Sequence, residues 1–374
     1  MSVQDKVIVV GLGAMGSAVT YHLARRGYRV LGLDQFDVPH DKGSSHGITR
    51  IIRLAYFEHP SYVPLLLRAY QLWRQLEHDL GSQLLWITGS LDIGAVCEDS
   101  RRSCELHSLP HEILTAAEIA RRFPAYQLPS DLMGLLQPEG GFLAPEACIS
   151  AHLRLAGALG AELHGREPVL EWEETKNTIH VRTSRDTYEA DFLVVTAGAW
   201  VSKLVPALSA ITKPERQVLA WLQPKTPGLF QPSNFPVFNL RLNEGHFYGF
   251  PEFGVPGFKF GRYHHRHENV DPDTMKREAD SEDERLLRDF AMRYFPEGAG
   301  PTLALHTCLF TNTPDEHFLL DFHPESRRVV IGSPCSGHGF KFSSVVGEVL
   351  ADLVEHGDTH LDISMHRFQR FAAK

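Results

Sequence analysis

Lys6-Val7-Ile8-Val9-Val10-Gly11-Leu12-Gly13-Ala14-Met15-Gly16 is the stretch on which the reading of the fold turns. A short β-branched run bounded by glycine reads as a buried strand. Glycines spaced GxGxxG follow it, and residues 14–26 then carry a helical pattern that ends at Gly27. Residues 28–34 (YRVLGLD) read as a second strand, which makes a compact βαβ unit. Each glycine has its own task there. Gly11 makes the tight turn, Gly13 lets the backbone approach a pyrophosphate, and Gly16 lets helix pack on strand. The diphosphate then lies against Ala14 and Met15 at the helix N-terminus, where free N–H groups and the helix dipole favour anions. Asp34 ends the second strand 18 residues after Gly16, as an acceptor for ribose hydroxyls should. The pattern predicts a bound dinucleotide and does not by itself separate FAD from NAD.

The chain around this unit has 374 residues, too long for one ordinary domain and suited to two. Its 43% apolar content supports a real core. A formal net charge of −9 with no basic block argues against nucleic acid and against an anionic membrane as partners. The N-terminal apolar run is too short for a signal peptide, and no stretch approaches the roughly 18 apolar residues of a membrane span. Five scattered cysteines, an odd number, argue for a reducing compartment, hence a cytoplasmic protein, and without a CxxC pair a structural zinc site is not expected.

Further along, residues 61–79 read as a long amphipathic helix, 86–95 as sheet, 145–160 as a helix opened by Pro145, and 190–196 as another buried strand. From 211 to 304 proline and aromatics rise, and HFYGFPEFG and FKFGRYHH alternate or turn rather than form helix. Residues 329–332 return to buried strand and 343–356 to helix. The expected fold class is α/β, with a discontinuous nucleotide-binding domain (1–85, 150–210, 305–374) and a second, mainly antiparallel domain (86–149, 211–304).

Three further segments go beyond this generic reading: Gly43-Ser44-Ser45-His46-Gly47-Ile48-Thr49-Arg50-Ile51-Ile52-Arg53, Cys308-Leu309-Phe310-Thr311-Asn312-Thr313-Pro314-Asp315-Glu316-His317-Phe318, and Ser336-Gly337-His338-Gly339-Phe340-Lys341-Phe342. With the N-terminal motif they closely resemble the monomeric sarcosine oxidase and N-methyltryptophan oxidase family, in register over nearly the whole chain. The resemblance implies a Rossmann-like FAD domain of the glutathione-reductase type beside a substrate domain. It implies FAD held covalently through a cysteine thioether, and the matching residue is Cys308. A thiolate that adds to an electrophilic flavin needs positive charge nearby, for which the resemblance offers Arg50 and His46. Ser44, Ser45, Thr49, Val169 and the turn containing Ala197, Gly198 and Trp200 match further cofactor contacts. Gly337, His338, Gly339, Phe340 and Lys341 precede a helix that, by the same resemblance, would point its N-terminus at the flavin pyrimidine ring, with glycines at 337 and 339 allowing close approach.

The same resemblance assigns the substrate carboxylate to Arg53 and Lys341, and an active-site role to Tyr248. Lys259 matches the lysine that activates oxygen. His264 matches an active-site histidine, in a segment with one extra residue that leaves the register against His265 open. The histidine cluster shows no acidic or cysteine partner at ligand spacing, so no metal is expected. Two departures stand out. Ile48 occupies a position where close relatives usually carry aspartate, and Cys335 one normally filled by an apolar residue. The expected activity is oxidation of a CH–NH donor, a sarcosine-like N-methyl amino acid, by oxygen in a monomeric enzyme. Larger secondary amines (N-methyltryptophan, pipecolate, a glycated amino acid) and a flavin dehydrogenase using another acceptor are the alternatives, and a flavoprotein without turnover is the non-enzymatic one.

Overall fold

The computed structural model describes residues 5–333 and 335–371. The opening motif builds the middle of a six-stranded sheet in the order 320–323, 326–332, 192–195, 6–10, 29–33, 162–164. Its strands are parallel except at the edge formed by Leu320–His323. From Val7 to Val10 the strand Lys6–Val10 is apolar and buried because both its faces are covered. Val7 and Val9 meet the helices Ala14–Arg25 and Ser343–His356. Ile8 and Val10 meet a core shared with a three-stranded antiparallel sheet, 169–174, 179–183 and 187–190. The helix Tyr62–Leu80 buries Leu65, Leu66, Ala69, Leu72, Trp73 and Leu76, the stripe its periodicity predicts, and stops at Gly81 in the left-handed conformation (φ 70°).

The second unit is an eight-stranded sheet in the order 302–312, 213–222, 258–262, 245–250, 237–242, 90–94, 133–137, 112–115. All its pairings are antiparallel except Val237–Leu242 beside Ser90–Gly94. The aromatics that mark 211–304 form its core, with Phe230, Phe235, Phe238, Phe258 and Phe295 buried together. Against them packs a helix, Ser281–Tyr294, in a region whose texture predicted none. Its N-terminus carries a reciprocal capping box between Asp280 and Asp283.

Three expected domain breaks fall inside elements, the first of them at 85/86 within the strand Leu85–Ile87, which pairs with Gly141–Leu143. The helix Pro145–Ala158 packs as a unit on the helix Ala14–Arg25, so a break at 149/150 would divide it. The strand Thr302–Asn312 pairs along its length with Lys213–Leu222, which carries the larger sheet past the break at 304/305. Among the described residues no helix is long and apolar enough to cross a membrane.

Candidate cofactor and substrate site

A cavity of about 440 Å³ lies where the two sheets meet, beyond the carboxyl ends of the parallel strands. One end is lined by Gly11, Gly13, Ala14, Met15, Asp34, Ser44, Ser45, Val169, Ala197, Gly198 and Trp200. The other is lined by Arg50, Arg53, Tyr248, Cys308 and the run Gly337–Lys341. The fold thus brings together most of the residues singled out from the sequence.

The glycines divide their work as the motif requires. A Cβ on Gly11 would lie 2.7 Å from the Thr196 carbonyl oxygen, and one on Gly16 would lie 1.7 Å from that of Gly11, so both are packing positions. A Cβ on Gly13 would meet only Ser45 Oγ, at 3.7 Å, and otherwise project into open space. The helix behind Gly13 has no side-chain cap and no acid in its first turn. The Ala14 N–H reaches Ser45 Oγ at 3.4 Å, the N–H groups of Met15 and Gly16 have no side-chain partner among the described residues, and the cradle fits a dinucleotide diphosphate. Asp34 accepts hydrogen bonds from the amides of Leu12 (2.7 Å) and Phe36 (2.9 Å), which fix its carboxylate at the cavity edge.

At the far end Cys308 is buried, and burial pushes its thiol pKa up while Arg50 and Lys259 oppose the rise. Cys335 lines the same cavity, but burial pushes it up to about 12 with no cation opposing. His46 adds no positive charge: burial, then Arg50, hold it down to about 3, and its Nε2 is buried without a partner. The cations beside Cys308 are instead Arg50, which donates to the carbonyls of Thr49 and Ser44, and Lys259.

Lys259 is 2% exposed. Its Nζ donates to Gly47 O (2.6 Å), Thr49 O (2.8 Å) and Thr49 Oγ1 (2.9 Å), which takes up its three donors. Burial, then Arg50, pull its pKa well below the usual lysine range. Thr49 is thereby turned toward Lys259, and neither residue lines the cavity.

Arg53 is buried between the rings of Tyr56 and Phe57, with its guanidinium carbon 4.4 and 4.0 Å from their centroids. Its Nη2 pairs with both carboxylate oxygens of Glu58 (2.9 and 2.8 Å), and its Nη1 donates to Ala55 O and lies 3.8 Å from Asp92. Asp92 in turn accepts from Ser100 Oγ (2.6 Å) and Asn239 Nδ2 (2.8 Å). Lys341 donates to His338 O (2.8 Å), and burial, then Arg53, lower its pKa to about 7. His338 bridges Tyr56 Oη (2.6 Å) and the Glu316 carbonyl (2.9 Å), and burial holds it neutral. The glycines at 337 and 339 make room for protein: a Cβ on either would strike Phe310 (2.6 Å) or Cys335 (2.2 Å).

Tyr248 lines the cavity on the strand Gly245–Phe250, and its hydroxyl has no hydrogen-bond partner among the described residues. Tyr263 joins it on the wall, stacked on His246 at 4.6 Å. His264 does not line the cavity. Its ring is held by Glu215 (2.8 Å) and Glu316 (3.1 Å), so the extra residue in this segment puts Tyr263 at the wall and turns His264 away. Sequence reasoning missed Tyr263, Glu58, Asp92 and Asn239. An aspartate inside the apolar run Ser90-Leu91-Asp92-Ile93 was the one available signal, since a buried acid calls for a partner.

Residues 6–353 match the model of the FAD dependent oxidoreductase family. The chain is 40% identical to monomeric sarcosine oxidase of Bacillus sp. (strain NS-129), over 100% of this chain and 99% of that protein. It is 34% identical to N-methyl-L-tryptophan oxidase of Yersinia pestis (strain Pestoides F), over 98% and 99%. The structure superposes with a TM-score of 0.85 on NikD, an unusual amino acid oxidase essential for nikkomycin biosynthesis, at 27% identity over 97% of this chain and 98% of that one. With a glycine cradle open only at Gly13 and matches that run the length of the chain, the protein belongs to the FAD-dependent oxidoreductases, within the sarcosine oxidase and N-methyltryptophan oxidase group.

Proposed function

We propose that this enzyme oxidises sarcosine or a comparably small N-methyl amino acid, with FAD held covalently through Cys308. The observation that carries the reading is the pair of buried cations, Arg53 and Lys341, on the cavity wall that also presents Tyr248 and Cys308. Bound FAD would supply the two-electron acceptor for the C–N bond and return those electrons to dioxygen. With sarcosine, one dioxygen and one water are consumed, and glycine, formaldehyde and hydrogen peroxide are formed.

The chain's own groups divide the remaining work. A substrate carboxylate meets the guanidinium of Arg53 and the ammonium of Lys341, and Glu58 competes with it for Arg53. The free hydroxyl of Tyr248 faces the bound amine, with Tyr263 on the same wall. Arg50 and Lys259 favour the Cys308 thiolate needed for attachment, whereas Cys335 has no such support. Lys259, its donors committed to Gly47 and Thr49 behind the cavity wall, acts on negative charge developing on oxygen through space rather than by a hydrogen bond. With all five cysteines unpaired, we place the protein in a reducing, cytoplasmic setting, and its likeness to monomeric sarcosine oxidases supports a monomer.

Anaerobic mixing of the purified yellow protein with sarcosine tests the reading. Loss of the oxidised flavin absorbance, followed under air by one peroxide and one formaldehyde per sarcosine, is the expected result. Bleaching by primary amines or 2-hydroxy acids alone would overturn it. Bleaching without peroxide under air would point to the dehydrogenase alternative, and turnover only of N-methyltryptophan to a larger pocket.

A further inference from the structure

We propose that Glu215, His264 and His267 form a binding site for one divalent first-row cation, with zinc the best-matched ion. The sequence places the two histidines three residues apart but leaves them without an acidic partner. The fold supplies one from the strand Lys213–Leu222, next to the turn that follows the strand Phe258–Arg262. One donor atom from each of the three side chains lies within 4.8 Å of the others, and among the described residues no other group of His, Cys, Asp and Glu meets that condition. Bonds of about 2.0–2.2 Å to two imidazoles and a carboxylate are a recurrent zinc set, with a fourth position left for water.

The surroundings are organised as an outer shell. His264 Nδ1 lies 2.8 Å from Glu215 Oε2, while its Nε2 faces Glu316 Oε1 at 3.1 Å. A histidine that presents one ring nitrogen to an ion and the other to a carboxylate has its tautomer and orientation fixed. Glu215 is 5% exposed, and its oxygens accept from Gln217 Nε2 (3.0 Å) and Asn312 Nδ2 (2.7 Å). The Oδ1 of that same Asn312 is buried without a hydrogen-bond partner. Both histidines have positive φ (50° and 56°), and their rings lie nearly parallel, 5.6 Å apart. Conformations unfavourable to residues with a Cβ are thus held at both candidate ligands.

The site stands apart from the cofactor cavity and does not depend on the substrate proposed above. It ties three segments together: the strand bearing Glu215, the turn 264–267 and the loop bearing Glu316. The carbonyl of Glu316 holds His338 on the cavity wall, so an ion here would brace that wall from behind. The alternative is a histidine–carboxylate cluster complete without metal.

The test uses the FAD-loaded protein stripped with a chelator. Calorimetric titration with Zn²⁺ is expected to show one equivalent per chain, and Co²⁺ to give visible bands of a low-coordinate site at wavelengths beyond the flavin. His267→Ala, at an exposed position, should weaken binding at least tenfold, within the range that loss of coordination support produces. Glu215→Gln should abolish the cobalt bands, and flavin absorbance and circular dichroism report whether each variant is folded. Should Glu215→Gln not fold, His267→Ala alone decides. No saturable binding, or binding equally tight in His267→Ala, would overturn the proposal.

Discussion

Cys308 and Cys335 face the same cavity and differ mainly in the charge around them. Attachment requires a thiolate, and Arg50 and Lys259 lower the cost of forming one only at Cys308. Acid precipitation should therefore leave yellow colour in the pellet for the wild type and for Cys335→Ser, and release it to the supernatant for Cys308→Ser. The opposite pattern would move attachment to Cys335. Lys341 makes a pH prediction. Its pKa near 7 in the open site belongs to a group whose charged form is the one an anion binds. A bound carboxylate raises that pKa, so binding takes up a proton above pH 7 and none below it. The affinity of a small carboxylate lacking the amine should be flat below about pH 7 and fall above it, by up to about tenfold per pH unit. Lys341→Met should remove that slope. At this scale the sequence showed which side chains matter better than what holds them. Arg53 was legible, but Asp92 reaches it only because its strand lies parallel to the one carrying Asn239. His264 was displaced by a single extra residue whose effect only the fold reveals.

Among the elements, the strand–glycine–helix unit was the most legible, since a fully buried parallel strand and a GxGxxG turn leave few alternatives. The helix Ser281–Tyr294 was overlooked because prolines and aromatics dominate its neighbourhood. Its own signal was present in Asp280 and Asp283, which cap it, while the buried Asp283 carboxylate also holds Arg216 (2.7 Å) and His265 (3.0 Å). The glycine turn gives a paired prediction. Gly13 has φ −68° and open space where a Cβ would go, so Gly13→Ala should fold with unchanged circular dichroism. The methyl then occupies the approach of the diphosphate, and the flavin content of the purified protein should fall severalfold. In Gly16→Ala the methyl would lie 1.7 Å from a backbone oxygen, so soluble folded protein itself should be lost. Normal flavin content in Gly13→Ala would show that the diphosphate does not approach there.

For the molecule as a whole, the decisive feature is a cavity walled by two sheets that each have their own core. Val10, Leu33 and Gly332 reach it from the ends of the six-stranded sheet, while Asn239, Tyr248 and Phe250 reach it from the eight-stranded one. This division was only partly legible, because the segment bearing Cys308 reads as belonging to the nucleotide unit yet forms the edge strand of the larger sheet. A ligand held between two walls stabilises both, and by mass action its contribution is about 2.7 kcal/mol at a hundredfold excess over Kd. With attachment through Cys308 as proposed, Cys308→Ser is expected to make the cofactor dissociable, so that apoprotein can be prepared. Adding FAD to it should raise the thermal midpoint in proportion to the logarithm of FAD concentration, with one unfolding transition, because neither sheet can open without exposing the shared ligand. Two separated transitions, with only one of them moved by FAD, would mean that the cofactor is gripped by a single sheet and that the other merely covers it.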